Sequence, residues 1–256
     1  MSLQRWASAL FSLVLAAPAL AHFQVLLPST DVVADVKQTT LNLKLKFTHP
    51  MDGKPVMQME RPAQFGVQSG GMKKDLLPTL KDAPIDGKSA FAASYKIPAP
   101  GVRIFYVEPK PYWEPAEHKY IKQYTKVVVG ALGLFEGWDD LVGFPIEIKP
   151  LARPFGLWTG NVFRGVVLTK GKPLADATVE IEFYNEPRLV APPNDAFVTQ
   201  EVKTDANGIF AYAIPRAGWW GFAALTEGLE PLKAPDNSDA VVESGAVMWV
   251  RAVDMK

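Results

Sequence analysis

Three histidines and no cysteine define what metal chemistry this 256-residue chain can do. Without thiolates, any metal site must use nitrogen, oxygen or methionine sulfur, and no cysteine nucleophile is available. His22 stands in ALAHFQVLLPS, residues 19–29, where a small-residue stretch meets apolar, strand-like sequence. Residues 1–21 have the pattern of a secretory signal peptide. Arg5 and the initiating amine give the positive end, 9–17 a short apolar core, and Ala19 and Ala21 the small residues at −3 and −1. Cleavage after Ala21 makes His22 the first residue, with a free α-amine and an imidazole on one residue. The two nitrogens close a chelate ring on one ion, the second bond forming at lower entropic cost than a separate ligand. Ni(II) and Cu(II), which favour nitrogen, suit such a pair. A second frame, Ala17-Pro18-Ala19, is disfavoured by its proline and leaves Leu20-Ala21-His22. That start is an amine-x-x-His motif, which grips the same two metals in a plane through the deprotonated amides. The bland alternative is an ordinary N-terminal residue.

His49 closes the alternating run Leu41 to Thr48 and precedes Pro50, which turns it out of a strand ladder. It reads either as a second ligand or as a turn histidine bonded to backbone. Met51, Met57, Met59 and Glu60 follow. Met57 and Met59 share a face in an extended chain, where thioethers would suit Cu(I) or simply fill a core. His118 lies in KPYWEPAEHKYIKQYTK among Glu114, Glu117 and Tyr120, as a third ligand or a solvated loop residue.

The elements that must hold these residues are strands. Strict alternation over 41–48 marks a half-buried strand. Runs rich in β-branched and aromatic residues follow at 89–97, 102–107, 120–129, 144–148, 162–168, 178–184, 197–204, 208–214, 219–225 and 246–253. Most are bounded by Pro or Gly turns. Helical periodicity is confined to short candidates at 62–65 and 137–141. With 22 prolines and 19 glycines, the expectation is an all-β chain of two β-sandwich domains in tandem. The first spans 22–149, a Pro/Gly linker 150–160, and the second 161–256. Asn207-Gly208 predicts a hairpin turn between two alternating strands.

Charge is balanced at 27 against 27 with no basic run, so nucleic-acid binding is excluded as an expectation. No G-x-S-x-G, H-E-x-x-H or phosphate-binding glycine loop appears. No later stretch approaches the roughly 18 apolar residues of a membrane helix. Trp113, Trp158, Trp219 and Trp220 leave open a non-metal module binding sugars or surface partners, although Trp219 and Trp220 take opposite faces on a strand.

FTHPMDGKPVMQMERPAQFGV, PYWEPAEHKYIKQYTKV and GNVFRGVVLTKGKPLADATVEIEFYN with TDANGIFAYAIPRAGWWGFAAL carry a resemblance across the whole mature chain. The sequence resembles the periplasmic NikK-type component of ECF nickel transporters, a group of cobalt/nickel transport proteins. The resemblance implies an exported, non-enzymatic protein that binds Ni(II), with Co(II) or Cu(II) as alternatives. It would deliver the ion to membrane ECF-type components or receive it from an outer-membrane metal receptor. It assigns ligand roles to His22 and to His49 of F-T-H-P. It also implies a histidine directly before Y-T-K, where this chain has Gln123. The third position therefore falls to His118, Gln123 or water. The second module resembles transthyretin-like or carboxypeptidase-regulatory-like sandwiches. The rival from another class is a copper monooxygenase using His22 and a second histidine as an N-terminal brace.

Overall fold

The computed structural model describes residues 22–53, 55–186, 188–227 and 230–256. The expected signal peptide and both of its cleavage frames lie outside these residues. The described chain is all-β, with two single 3-10 turns at Leu77–Thr79 and Asp195–Phe197 and no α-helix. Its two sandwiches follow one another along the sequence and share one long sheet. The main path of that sheet runs Gln200–Lys203, Thr178–Phe183, Gly218–Glu227, Val242–Val253, Lys119–Ala131, Gly101–Glu108, Gln64–Ser69 and Met72–Asp75. Neighbours on this path are antiparallel except at the centre. There Lys119–Ala131 lies parallel to Val242–Val253, in register from Tyr120 with Val242 to Val127 with Trp249.

A strand's side chains alternate between its two faces, and both faces of these central strands are covered. Val127, Val129, Ala131, Val247 and Trp249 enter the first core. The sheet of Phe23–Pro28, Thr40–Thr48 and Phe91–Lys96 closes that core. Tyr124, Val128, Ala246, Met248 and Val250 enter the second core. Its cover is the sheet of Ile146–Pro150, Val162–Thr169 and Ile209–Ala213. This double burial explains why 242–253 reads as a nearly continuous apolar run rather than an alternating one.

Ile146–Pro150 precedes the Pro/Gly segment 150–160 and pairs across it with Val162–Thr169. The segment is itself packed: Phe155 is buried, and Leu157–Trp158 pairs with Ala252 and Val253.

Two local expectations change. The stretch 62–65 does not make a helix; Gln64–Ser69 is a strand, joined to Met72–Asp75 by a two-residue turn. Gly70 and Gly71 both take positive φ there, as the tightest hairpin turn requires. The 137–141 stretch is a turn, with Gly137 at φ +77° and its carbonyl accepting from the Asp140 N–H. Asn207-Gly208 does reverse the chain, with Gly208 donating to the Asp205 carbonyl. Its flanking strands nevertheless enter different sheets, Gln200–Lys203 pairing with 178–181 and Ile209–Ala213 with 162–166. Turn residues specify a reversal; they do not choose the partner strand.

Trp249 ties the N-terminal strand to the shared sheet. Its indole is fully buried against Phe23 and Tyr184, and its N–H donates to the Gln24 carbonyl at 3.0 Å. Gly221, opposite in register, makes room: a Cβ there would meet both the indole and the Phe23 ring at about 3 Å. Trp249→Ala should cost about 3–5 kcal/mol. Trp249→Phe keeps an aromatic ring but leaves the Gln24 carbonyl only the long 3.5 Å contact from the Thr125 hydroxyl, which should cost about 1–3 kcal/mol. Denaturant midpoints of the two variants check both values.

Candidate functional site

Two of the three histidines, His22 and His49, meet where the N-terminal strand begins. Phe23 pairs with Thr48, so His22 and His49 flank the same register position on adjacent chains. Their ring centroids are 4.6 Å apart. His49 is buried, and its carbonyl accepts from Gly53, which shapes the tight turn after Thr48. The second sandwich holds this turn from below. Glu182 accepts from the Met51 N–H at 3.0 Å, and the Asn185 amide donates to the Met51 carbonyl at 3.1 Å. Burial pushes the Glu182 carboxyl up to about 8.

The hairpin of Tyr112–Glu114 with Lys119–Ala131 supplies the opposite wall. Tyr112 and Glu114, two apart, share a face. Tyr112 lies 6.2 Å from the His22 ring, Phe47 lies 5.6 Å from it, and Glu114 Oε2 is 3.1 Å from His22 Nε2. Trp113 between them turns the other way and packs on His118 and Tyr120. His118 therefore sits with the other face of the hairpin. Its left-handed backbone, φ +51°, closes the turn, and its Nε2 is 3.1 Å from the Ser238 hydroxyl.

Gln123 is buried, and its amide is directed at the main chain on both sides of Phe23. Its Oε1 accepts from the Gln24 N–H at 2.7 Å, and its Nε2 donates to the His22 carbonyl. The structure thus brings His22, His49 and Gln123 to one place, with Gln123 as a clamp on the chain that carries His22. It sets His118 apart from them. Glu114 is the residue that sequence reasoning left among surface carboxylates. Its signal was the alternation Tyr112-Trp113-Glu114, which puts the carboxylate on the face opposite Trp113. Met57 and Met59 are buried in the first core. Trp220 is buried in the second core while Trp219 packs on the first, the opposite faces that adjacent strand positions require. Among the described residues, no three His, Asp or Glu side chains are grouped to hold an ion.

Desolvation pulls the His22 imidazole below its ordinary value of 6.5, against the raising fields of Glu114 and Glu117. A neutral ring has one N–H, and a carboxylate only accepts. Nε2 therefore donates to Glu114, and Nδ1 keeps its lone pair. Because the folded pKa is lowered, the unfolded chain binds more protons between that value and about 6.5. Stability from this group is present above 6.5 and falls as pH drops through the lowered pKa. In protein carrying residues ahead of His22, NMR should place its titration below 6.5, and Glu114→Gln should move it lower still. Gln123→Leu should cost roughly 1–3 kcal/mol for each backbone group left unpaired, with faster amide exchange at Gln24.

Comparison with known proteins adds a family. No curated protein matches the chain. Solved structures give only distant likenesses. A bacterial ice-binding adhesin is 7% identical over 88% of this chain and 62% of its own, with a TM-score of 0.26. The D0-D1 domain of intimin is 11% identical over 91% and 100%, at 0.24. The Yersinia pseudotuberculosis adhesin InvE is 11% identical over 88% and 58%, at 0.25. This chain thus spans less than two thirds of either adhesin structure, and scores this low say nothing of function. Residues 19–228 match the family model described as Domain of unknown function (DUF4198), and the chain belongs to that family.

Proposed function

We propose that this is an exported protein that binds a nitrogen-seeking divalent metal, nickel first and cobalt or copper as alternatives, through a mature N-terminal His22. The ion is cargo, passed to a membrane uptake system of the NikK-associated ECF type. The observation that carries the reading is the bond from His22 Nε2 to Glu114. Metal-binding histidines characteristically donate their second ring N–H to a carboxylate, which fixes the tautomer and raises the basicity of the ligating nitrogen. Here that leaves Nδ1, the ring nitrogen placed to close a six-membered chelate with the residue's own α-amine. His49, with its ring 4.6 Å from that of His22, adds a third nitrogen. In the unprocessed chain the His22 nitrogen is an amide. Cleavage after Ala21 is what creates the amine, so maturation switches the site on.

The test starts from protein exported and purified without a tag ahead of His22, its start fixed by intact mass. Titration with Ni(II), Co(II) and Cu(II) should give tightest binding for the processed protein. His22→Ala, His49→Ala or a single residue added before His22 should each weaken binding about tenfold or more. Glu114→Gln should weaken it about 10–100-fold. Affinity should fall as pH drops from about 8, where the α-amine titrates, because the ligands must be deprotonated. Unchanged affinity in the His22 and extended variants would overturn the reading. Peroxide-driven oxidation of polysaccharide by the copper form would instead favour the monooxygenase.

A further inference from the structure

One end of the second sandwich holds a cavity of about 280 Å³, near the lower limit of roughly 300 Å³ usual for small-molecule sites. Phe183 and Trp220 form its floor. They are cross-strand partners, so both rings project from one face of the sheet, with centroids 5.2 Å apart. Phe197 stands half exposed at the mouth, beside Pro193 and Pro215.

Among the described residues Arg216 is the only charged side chain in this lining. Its guanidinium lies over the Phe183 ring, 5.0 Å from the centroid, and its Nε is buried with no hydrogen-bond partner. The arginines that make ion pairs among the described residues are Arg61 and Arg251; no carboxylate pairs with Arg216. The buried carboxylate of Glu182 is no part of the lining, and its oxygens accept from the Thr199 hydroxyl and the Met51 N–H. Stacking occupies the face of a guanidinium and leaves free its edge of N–H donors, the fork that matches a carboxylate.

The walls are set before any ligand arrives. The Trp220 indole donates to the Arg216 carbonyl at 3.0 Å, which ties the arginine backbone to the floor. The Asn185 side chain brackets Val190, donating to its carbonyl at 2.8 Å and accepting from its N–H at 3.0 Å. The Tyr212 hydroxyl donates to the Gln200 side chain. A pocket already ordered loses little affinity to ordering when it fills.

We propose that this cavity binds a small aromatic carboxylate, its ring against Trp220 and Phe197 and its carboxylate on the Arg216 guanidinium. A neutral apolar ligand would leave the cation unpaired, and a bare inorganic anion would leave the aromatic walls wet. The pair of features selects a ligand with one apolar and one anionic end. The volume admits a compact body and not a long acyl chain. The site is separate from His22 and stands independently of the metal reading.

Isothermal titration calorimetry of the full processed protein tests this with phenylacetate, indole-3-acetate, acetate and phenylacetamide. The two aromatic carboxylates should bind at one site. Acetate lacks the ring and phenylacetamide the charge, so each should bind about tenfold or more weakly. Arg216→Gln should weaken phenylacetate about tenfold or more and leave phenylacetamide unchanged. Phe197→Ala should weaken both aromatic carboxylates. Both side chains are partly exposed, and thermal melts check that the variants fold. His22→Ala should change none of these affinities, so this proposal and the metal reading fail separately. The proposal is overturned if neither aromatic carboxylate binds at millimolar concentration, if phenylacetamide binds as well as phenylacetate, or if Arg216→Gln changes nothing. Sedimentation that shows a dimer split by Phe197→Ala would assign the cavity to a second copy and also overturn it.

Discussion

The structure turns on the backbone of one residue, Gln24. Phe23–Pro28 lies at the edge of its sheet, paired on one side only with Thr40–Thr48. Edge strands leave backbone groups unpaired, and a buried one needs a partner from elsewhere. Gln24 finds both partners in side chains of the shared sheet. Gln123 on Lys119–Ala131 takes its N–H, and Trp249 on Val242–Val253 holds its carbonyl. These two strands are the parallel neighbours at the centre of that sheet, the place where the two halves of the sequence join. The lateral junction between sandwiches and the docking of the N-terminal strand are therefore one construction. His22 lies two residues before Gln24, and its own carbonyl is held by the same Gln123 amide.

Under the proposed metal reading, that clamp would bear directly on affinity. A chain terminus usually frays, and a terminal chelate on a fraying strand would lose much of its affinity to ordering entropy. Here the ordering is supplied by folding. Backbone is fixed by Gln123, ring orientation by Glu114, and the His49 turn by Glu182 and Asn185 from the second sandwich. The two sandwiches have different duties at this place. The first supplies both histidines with Gln123 and Glu114, and the second braces the His49 turn through Glu182 and Asn185.

Much of the architecture was legible because strands advertise themselves by alternation, as 41–48 does. His22 and His49 were legible for a chemical reason, the rarity of imidazole combined with a cleavage pattern. Other features were hidden because they depend on long-range partners. Gln64–Ser69 reads weakly as a strand because Gly66 interrupts it. In the fold that glycine is required, since a Cβ would collide with the Tyr106 ring. The 207–208 turn was visible but not the separation of its strands into two sheets. Glu114 looked like any surface carboxylate, because nothing local reveals that 112–114 folds back over the start of the N-terminal strand. Gln123 reads in the sequence as a candidate third ligand, and its role as a clamp was hidden because that clamp spans about a hundred positions of sequence.

If the proposed metal reading holds, a glutamine at position 123 has a consequence for how the site would release its ion. A histidine there would add a fourth nitrogen and tighten the grip. A glutamine clamp instead spends the position on the backbone, which on that reading would leave three chain-derived nitrogens. An ion held by few protein ligands exchanges faster, since each bond that must break before transfer adds to the barrier. Exchange also has a proton route, because the α-amine and both imidazoles bind only when deprotonated. On the proposed reading, the desolvation that lowers the His22 pKa would keep its ring available as a ligand to lower pH than an exposed histidine. A carrier is served by an incomplete, well-ordered site: order makes capture specific, and incompleteness lets an external donor enter before the last protein ligand leaves.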